Sequence, residues 1–130
     1  MTSGSALQQA PSSEIAPEVV AAYQTDRVAL SDFLHRTYNF LYQKGMHYQN
    51  LSNKESGTSK GQEYAIAATQ IFNILPNFRD LLEVLDSSTY QNPSNVSDAY
   101  TNLFGMASAA FQMESAINQR TWKLDLELGQ

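Results

Sequence analysis

The sequence contains no cysteine, which removes disulfides, thiolate nucleophiles and Cys-ligated zinc together. Charge is also scarce. Charged residues make up 16% of the chain, against about a quarter in ordinary globular proteins. The formal net charge is −5, and the eight Lys and Arg are scattered rather than clustered. Binding a phosphate backbone needs concentrated positive charge that releases counterions, so nucleic acid and anionic membrane surfaces are poor partners. No stretch approaches the ~18 consecutive apolar residues of a membrane-spanning helix. The start, Met1 to Ser13, lacks the positive charge and apolar segment of a secretory signal. The expected location is the cytoplasm, or outside it by a route without a cleaved signal peptide.

What the chain does have is helical periodicity. Its 130 residues and 42% hydrophobic content fit one domain with one core. Residues 1–14 are small and polar and are expected to form a disordered tail, with a single domain over 15–130. Pro17 suits the first turn of a helix, with Glu14 and Glu18 close to its positive end. From there to Leu51 the residues Val20, Tyr23, Leu30, Leu34, Leu41, Tyr48 and Leu51 form one seam, flanked by Phe33 and Phe40. Arg27, Thr37 and Lys44 interrupt it, and Gly45 predicts fraying or bending beyond.

A loop is expected over residues 52–61, with Ser59 and Gln62 forming a capping box for a second helix. Tyr64, Ala68, Ile71, Leu75, Phe78, Leu82 and Leu85 then alternate in steps of four and three, which strands cannot produce. Pro76 lies inside this pattern and predicts a kink. A second loop covers residues 86–94, and Asn95 with Asp98 offers the next cap. The third helix carries Val96, Tyr100, Leu103, Ala107, Ala110, Ile117 and Leu124, with Phe104 and Phe111 beside the seam and Glu114 and Thr121 breaking it. Its small middle, Gly105 to Ala110, would admit a close backbone or underlie a neighbouring aromatic. Residues 121–128 alternate apolar and charged, as a half-buried strand does. Leu, Glu and Lys favour helix there instead, and a strand would need a partner's sheet edge. The expected fold is all-α: three long helices in an antiparallel bundle, the middle one kinked at Pro76.

The candidate chemistry is thin. His35 follows Asp32 by three positions, but a di-iron bundle needs two such pairs and further carboxylates. Gly57-Thr58-Ser59-Lys60-Gly61 has the letters of a hydrolase elbow without the preceding strand or a later histidine. Asn50 and Asn95 begin glycosylation sequons by letter alone. No phosphate loop, zinc spacing or calcium loop is present. The expectation is a non-enzymatic protein with no cofactor or metal. It would act through helix–helix association with a protein partner or with itself, as a homo-oligomer. The residues expected to carry that role are Leu75, Phe78, Leu82, Leu85, Leu103, Phe104, Phe111, Ile117 and Trp122, each of which could equally serve core packing.

Asn92-Pro93-Ser94-Asn95, followed by a helix ending in Phe111-Gln112-Met113-Glu114-Ser115-Ala116-Ile117-Asn118-Gln119-Arg120, resembles the axial proteins of type III export systems: needle, inner-rod and flagellar rod-adaptor subunits. The resemblance covers under a third of the chain. It implies a small helical subunit, exported unfolded, that polymerises through its C-terminal helix. Needle subunits are shorter hairpins, whereas this chain carries a further long helix. The alternative is a cytoplasmic binding module: a secretion chaperone, adaptor or toxin-neutralising protein.

Overall fold

The computed structural model describes residues 16–129. Within them the chain is all-α: α1 (Pro17–Lys54), α2 (Ser59–Leu85), the short α3 (Ser88–Gln91) and α4 (Val96–Glu127). The tail expected over residues 1–14 lies outside the described residues.

The apolar spacing explains the long helices. In α2, Tyr64, Ala68, Ile71, Leu75, Phe78, Leu82 and Leu85 are all buried, so the four-three alternation is the core stripe. Leu34, Leu41 and Tyr48 in α1, and Leu103, Ala110, Ile117 and Leu124 in α4, repeat every seven residues and are likewise buried. Tyr48 stacks on Tyr64 at 5.9 Å and Tyr42 meets Phe72 at 6.2 Å, so α1 and α2 run in opposite directions. Tyr23 packs on Tyr100, Phe33 on Phe111, and Lys44 on Thr121. Advancing along α1 therefore advances along α4, and these two run in the same direction.

Four local expectations need correction. The first loop is shorter than residues 52–61, because α1 continues to Lys54. Gly45 causes no fraying: it is buried, and a Cβ there would stand 3.0 Å from the Phe72 ring and 3.2 Å from Ile71. The missing side chain lets α2 close in on α1. The α2 cap is Thr58, not Ser59, with its Oγ accepting from the Gly61 N–H at 3.0 Å. Both residues carry a hydroxyl, and only the one with extended backbone can cap. The second loop contains a helical turn, α3, in which the Ser87 carbonyl accepts the N–H groups of Tyr90 and Gln91.

Three readings carry through: the Pro17 start, the Asn95 cap and the helical form of residues 121–127. Pro17 is the first residue of α1, and Asn95 caps α4, accepting from the Asp98 N–H at 3.1 Å. Residues 121–127 are helix, not strand. α2 runs uninterrupted across Pro76, whose ring is exposed; lacking an N–H, it leaves the Phe72 carbonyl without its usual donor.

Two glycines should respond oppositely to alanine. A Cβ on Gly61 would sit 2.2 Å from the Glu55 carbonyl oxygen, a backbone atom that cannot swing aside. Gly61→Ala should cost about 2 kcal/mol, within the range of steric and capping losses. Gly105 lies in mid-helix with nothing within 4 Å of its Cβ position, so Gly105→Ala should stabilise by about 1 kcal/mol through helix propensity. Denaturant unfolding of the two variants measures both signs.

Candidate interaction surface

The helices are located against each other by two polar clusters, one at each end. Near the C-termini of α1 and α4, the Lys44 ammonium donates to Asp125 Oδ2 at 2.8 Å and to Thr121 Oγ at 2.9 Å. The Tyr48 hydroxyl donates to the other carboxylate oxygen of Asp125. Thr121 shares its single proton between Asp125 and the Ile117 carbonyl. The Lys44 side chain is 8% exposed and that of Asp125 21%, so little water competes for these bonds. Burial pushes the Asp125 carboxyl up, but hydrogen bonds from Lys44, Tyr48 and Thr121 outweigh it and hold it below its ordinary value. Burial, then the bond to the Asp125 anion, pushes the Tyr48 phenol well above its own.

At the opposite end, the Tyr23 hydroxyl donates to the Tyr90 carbonyl at 2.6 Å, and the Gln24 amide to the Gln91 carbonyl at 2.7 Å. The Tyr100 hydroxyl donates to Asp26 at 2.9 Å. These bonds give α3 its place: its last carbonyls meet donors from α1. Lys60 on α2 also reaches Glu127 on α4 at 2.9 Å, an exposed pair of small energetic weight.

This arrangement revises the role of three polar residues. Thr37, Lys44 and Thr121 read as interruptions of the seams, yet Thr37 and Thr121 are buried in them and Lys44 forms the inner pair. The Lys44 cluster was missed because its members are about 77 residues apart in sequence. One signal was available: a Lys and a Thr standing at seam positions of two otherwise apolar stripes.

The nine residues proposed to mediate association divide into two groups. Leu75, Phe78, Leu82, Leu85, Leu103 and Ile117 are core, so in this fold they hold the helices of one chain together. Phe104, Phe111 and Trp122 are 73%, 57% and 52% exposed. Phe111 touches Phe33 of α1, with ring centres 5.0 Å apart, and Phe40, one heptad further along α1, is 59% exposed. Phe111 and Trp122 line one shallow groove with Ser115 and Asn118, and Trp122 also rims a groove toward Ile66 of α2. Tyr38 is half-buried against the core while Tyr42 stays exposed. Phe104, Phe111 and Trp122 on α4, with Phe40 on the adjoining edge of α1, form a discontinuous aromatic surface, whereas Tyr42 lies on the α2 side of α1 against Phe72.

Asp32, His35 and His47 are exposed on α1. Among the described residues, no three His, Asp or Glu side chains gather to hold a metal, and no helix is long and apolar enough to cross a membrane. No known protein family, curated protein or solved structure matches the chain.

The inner pair makes a signed prediction. Lys44→Met leaves Asp125 without its cation and should cost about 3 kcal/mol, whereas the double variant Lys44→Met/Asp125→Leu should cost far less than the two single losses combined. Urea unfolding of the cycle measures this. Asp125 binds its proton more weakly folded than unfolded, so its contribution is complete above about pH 5 and is lost as pH falls through and below the ordinary value of 3.8. Tyr48 holds its proton more tightly folded, so its contribution is complete below the ordinary value of 10.0 and is lost as pH rises above it. Asp125→Asn should flatten the acid limb of the stability profile and Tyr48→Phe the alkaline limb.

Proposed function

We propose that the protein acts by packing its outer helix surfaces against other helices, as an association module and not as a catalyst. The observation that carries this reading is the aromatic surface of Phe40, Phe104, Phe111 and Trp122. None of the four belongs to the buried core, and each is more than half exposed. Single exposed apolar residues are ordinary on a soluble protein, but several gathered on one side mark a contact surface. The three long helices act here as one antiparallel bundle that presents this surface as a rigid unit.

The specific form supported by the resemblance of residues 92–120 is a self-assembling subunit of a bacterial secretion or filament structure. In that reading, the Asn92-Pro93-Ser94-Asn95 turn launches the helix that carries Phe104, Phe111 and Trp122. A second reading, a cytoplasmic binding module such as a chaperone, adaptor or toxin-neutralising protein, draws on the net charge of −5, which would steer basic partners.

The test is Phe104→Ser/Phe111→Ser. Both sites are more than half exposed, so stability should move by less than about 1 kcal/mol, whereas Phe78→Ala should cost about 3–5 kcal/mol. Light scattering of the purified chain and pull-down from native cells should show association for the wild type and its loss in the double serine variant. A wild type that neither self-associates nor captures a partner, or a variant that associates equally well, overturns the reading.

A further inference from the structure

The long helices are not joined alike. Close backbone approaches fall mainly between α1 and α2, whereas α4 stands further from both and reaches them through side chains. Residues 55–58 connect α1 to α2, and the longer segment 86–95, with the single turn of α3, leads to α4. Among the described residues, the side-chain hydrogen bonds between long helices all end on α4. Asp26 meets Tyr100, Lys44 and Tyr48 meet Asp125, Lys44 meets Thr121, and Lys60 meets Glu127. The α1–α2 contact is apolar instead: Phe72 and Ile71 close on Gly45, and Tyr64 stacks on Tyr48.

Charge therefore acts on the docking of α4. Lys44 is covered in the closed bundle, on the side of α1 that faces α4. When α4 moves away, water reaches the ammonium, and no other charged side chain of α1 or α2 is buried among the described residues. With α4 docked, the ammonium needs an anion, which Asp125 supplies at 2.8 Å. Nothing else packed there replaces it. Tyr48 and Thr121 are uncharged donors to the same carboxylate. On α2, Tyr64 lies against Tyr48, and Lys60 engages Glu127 at 2.9 Å and Glu63 at 3.5 Å at the exposed edge. The exposed His47 ring, 6.1 Å from that of Tyr48, brings no negative charge. Neutralising Asp125 thus penalises the closed position of α4 and leaves the α1–α2 contact as it was.

We propose that α4 is a releasable arm on a persistent α1–α2 hairpin, held closed by the charge of Asp125. Opening turns on residues 86–95 and uncovers Leu103, Ile117 and Leu124, which the closed bundle buries. Parts of a fold with few close contacts open first, and here that part is held by a titratable clamp. Asp125 binds its proton more weakly folded than unfolded, so the clamp is complete well above 3.8 and is lost as pH falls through and below that value. The open arm is a state of a single chain, so it stands apart from the association surface.

Urea unfolding of the full chain, followed by two probes, tests this. Trp122 is the single tryptophan and lies on α4, so its emission follows the arm, while far-ultraviolet circular dichroism follows all the helices. Trp122 emission should change at lower urea than most of the helical signal. Asp125→Asn should lower the Trp122 midpoint by on the order of 1 M and leave the later, hairpin midpoint in place. Lys44→Met/Asp125→Leu, which removes both charges, should restore the Trp122 midpoint and abolish its fall in acid. Ile71→Ala, at the α1–α2 contact, should lower the later midpoint instead. Coincident transitions by both probes in the wild type would show one cooperative unit and overturn the proposal. So would a Trp122 midpoint indifferent to Asp125→Asn.

Discussion

An ammonium on the buried stripe of a helix has to be neutralised where it stands. Lys44 occupies such a position on α1, and Asp125 of α4 meets it at 2.8 Å. Leaving either charge unpaired there would cost several kcal/mol, so only arrangements that bring the two together are available to the fold. This one pairing decides the form of the C-terminal segment. A helix brings side chains four apart to about 6 Å, so Thr121 and Asp125 can both reach one ammonium. A strand would hold them about 13 Å apart, at ~3.3 Å per residue, and Lys44 could satisfy only one. The alternation of Trp122, Leu124, Leu126 and Leu128 is thereby overruled.

The apolar stripes bring the helices together without fixing how far one slides along another, because hydrophobic burial is non-directional. The polar clusters supply that information. Tyr23 against Tyr100, Lys44 against Thr121 and Tyr48 against Asp125 keep the same sequence offset over most of the length of α1. α4 is thus pinned at both ends and held by apolar contact between them. α1 and α2 are matched differently, through the absence of a side chain at Gly45, against which Phe72 and Ile71 of α2 close in. The result is one close pair of helices and a third set by hydrogen bonds.

Most of the fold was legible because it depends on local spacing. The four-three pattern of α2, the Asn95 cap and the proline at the start of α1 are read from residues within a few positions of one another. The rest depends on what another helix brings. Thr121 looks like a defect in its seam until Lys44 is placed opposite, and Lys44 looks like a defect until Asp125 is. The turn at Ser88–Gln91 is hidden by a loop-like composition and exists because Tyr23 and Gln24 anchor its carbonyls. In α4 the seam was placed on Tyr100 and Ala107, whereas Ala99 and Met106 are the more deeply buried. Both pairs flank Leu103, and only the position of α2 decides between them. The same indeterminacy put Phe104 and Phe111 in one group with Leu103 and Ile117, although one residue of rotation, about 100°, separates core from surface.

That rotation also separates folding from association in α4. Leu103, Ala110 and Ile117 face inward at seven-residue intervals, and Phe104, Phe111 and Asn118 follow each by one position. Substituting the inner row opens a cavity; substituting the outer row removes only rings that water already reaches. An outer phenylalanine therefore contributes little to stability, and it carries the standing liability of exposed apolar surface. Phe111 is the informative case, since its ring is braced on one side by Phe33 and open on the other. A braced ring has already lost most of its rotamer freedom, so less entropy is lost when a partner covers its open side. A surface built this way is costly to a protein that works alone and advantageous to one that binds another helix.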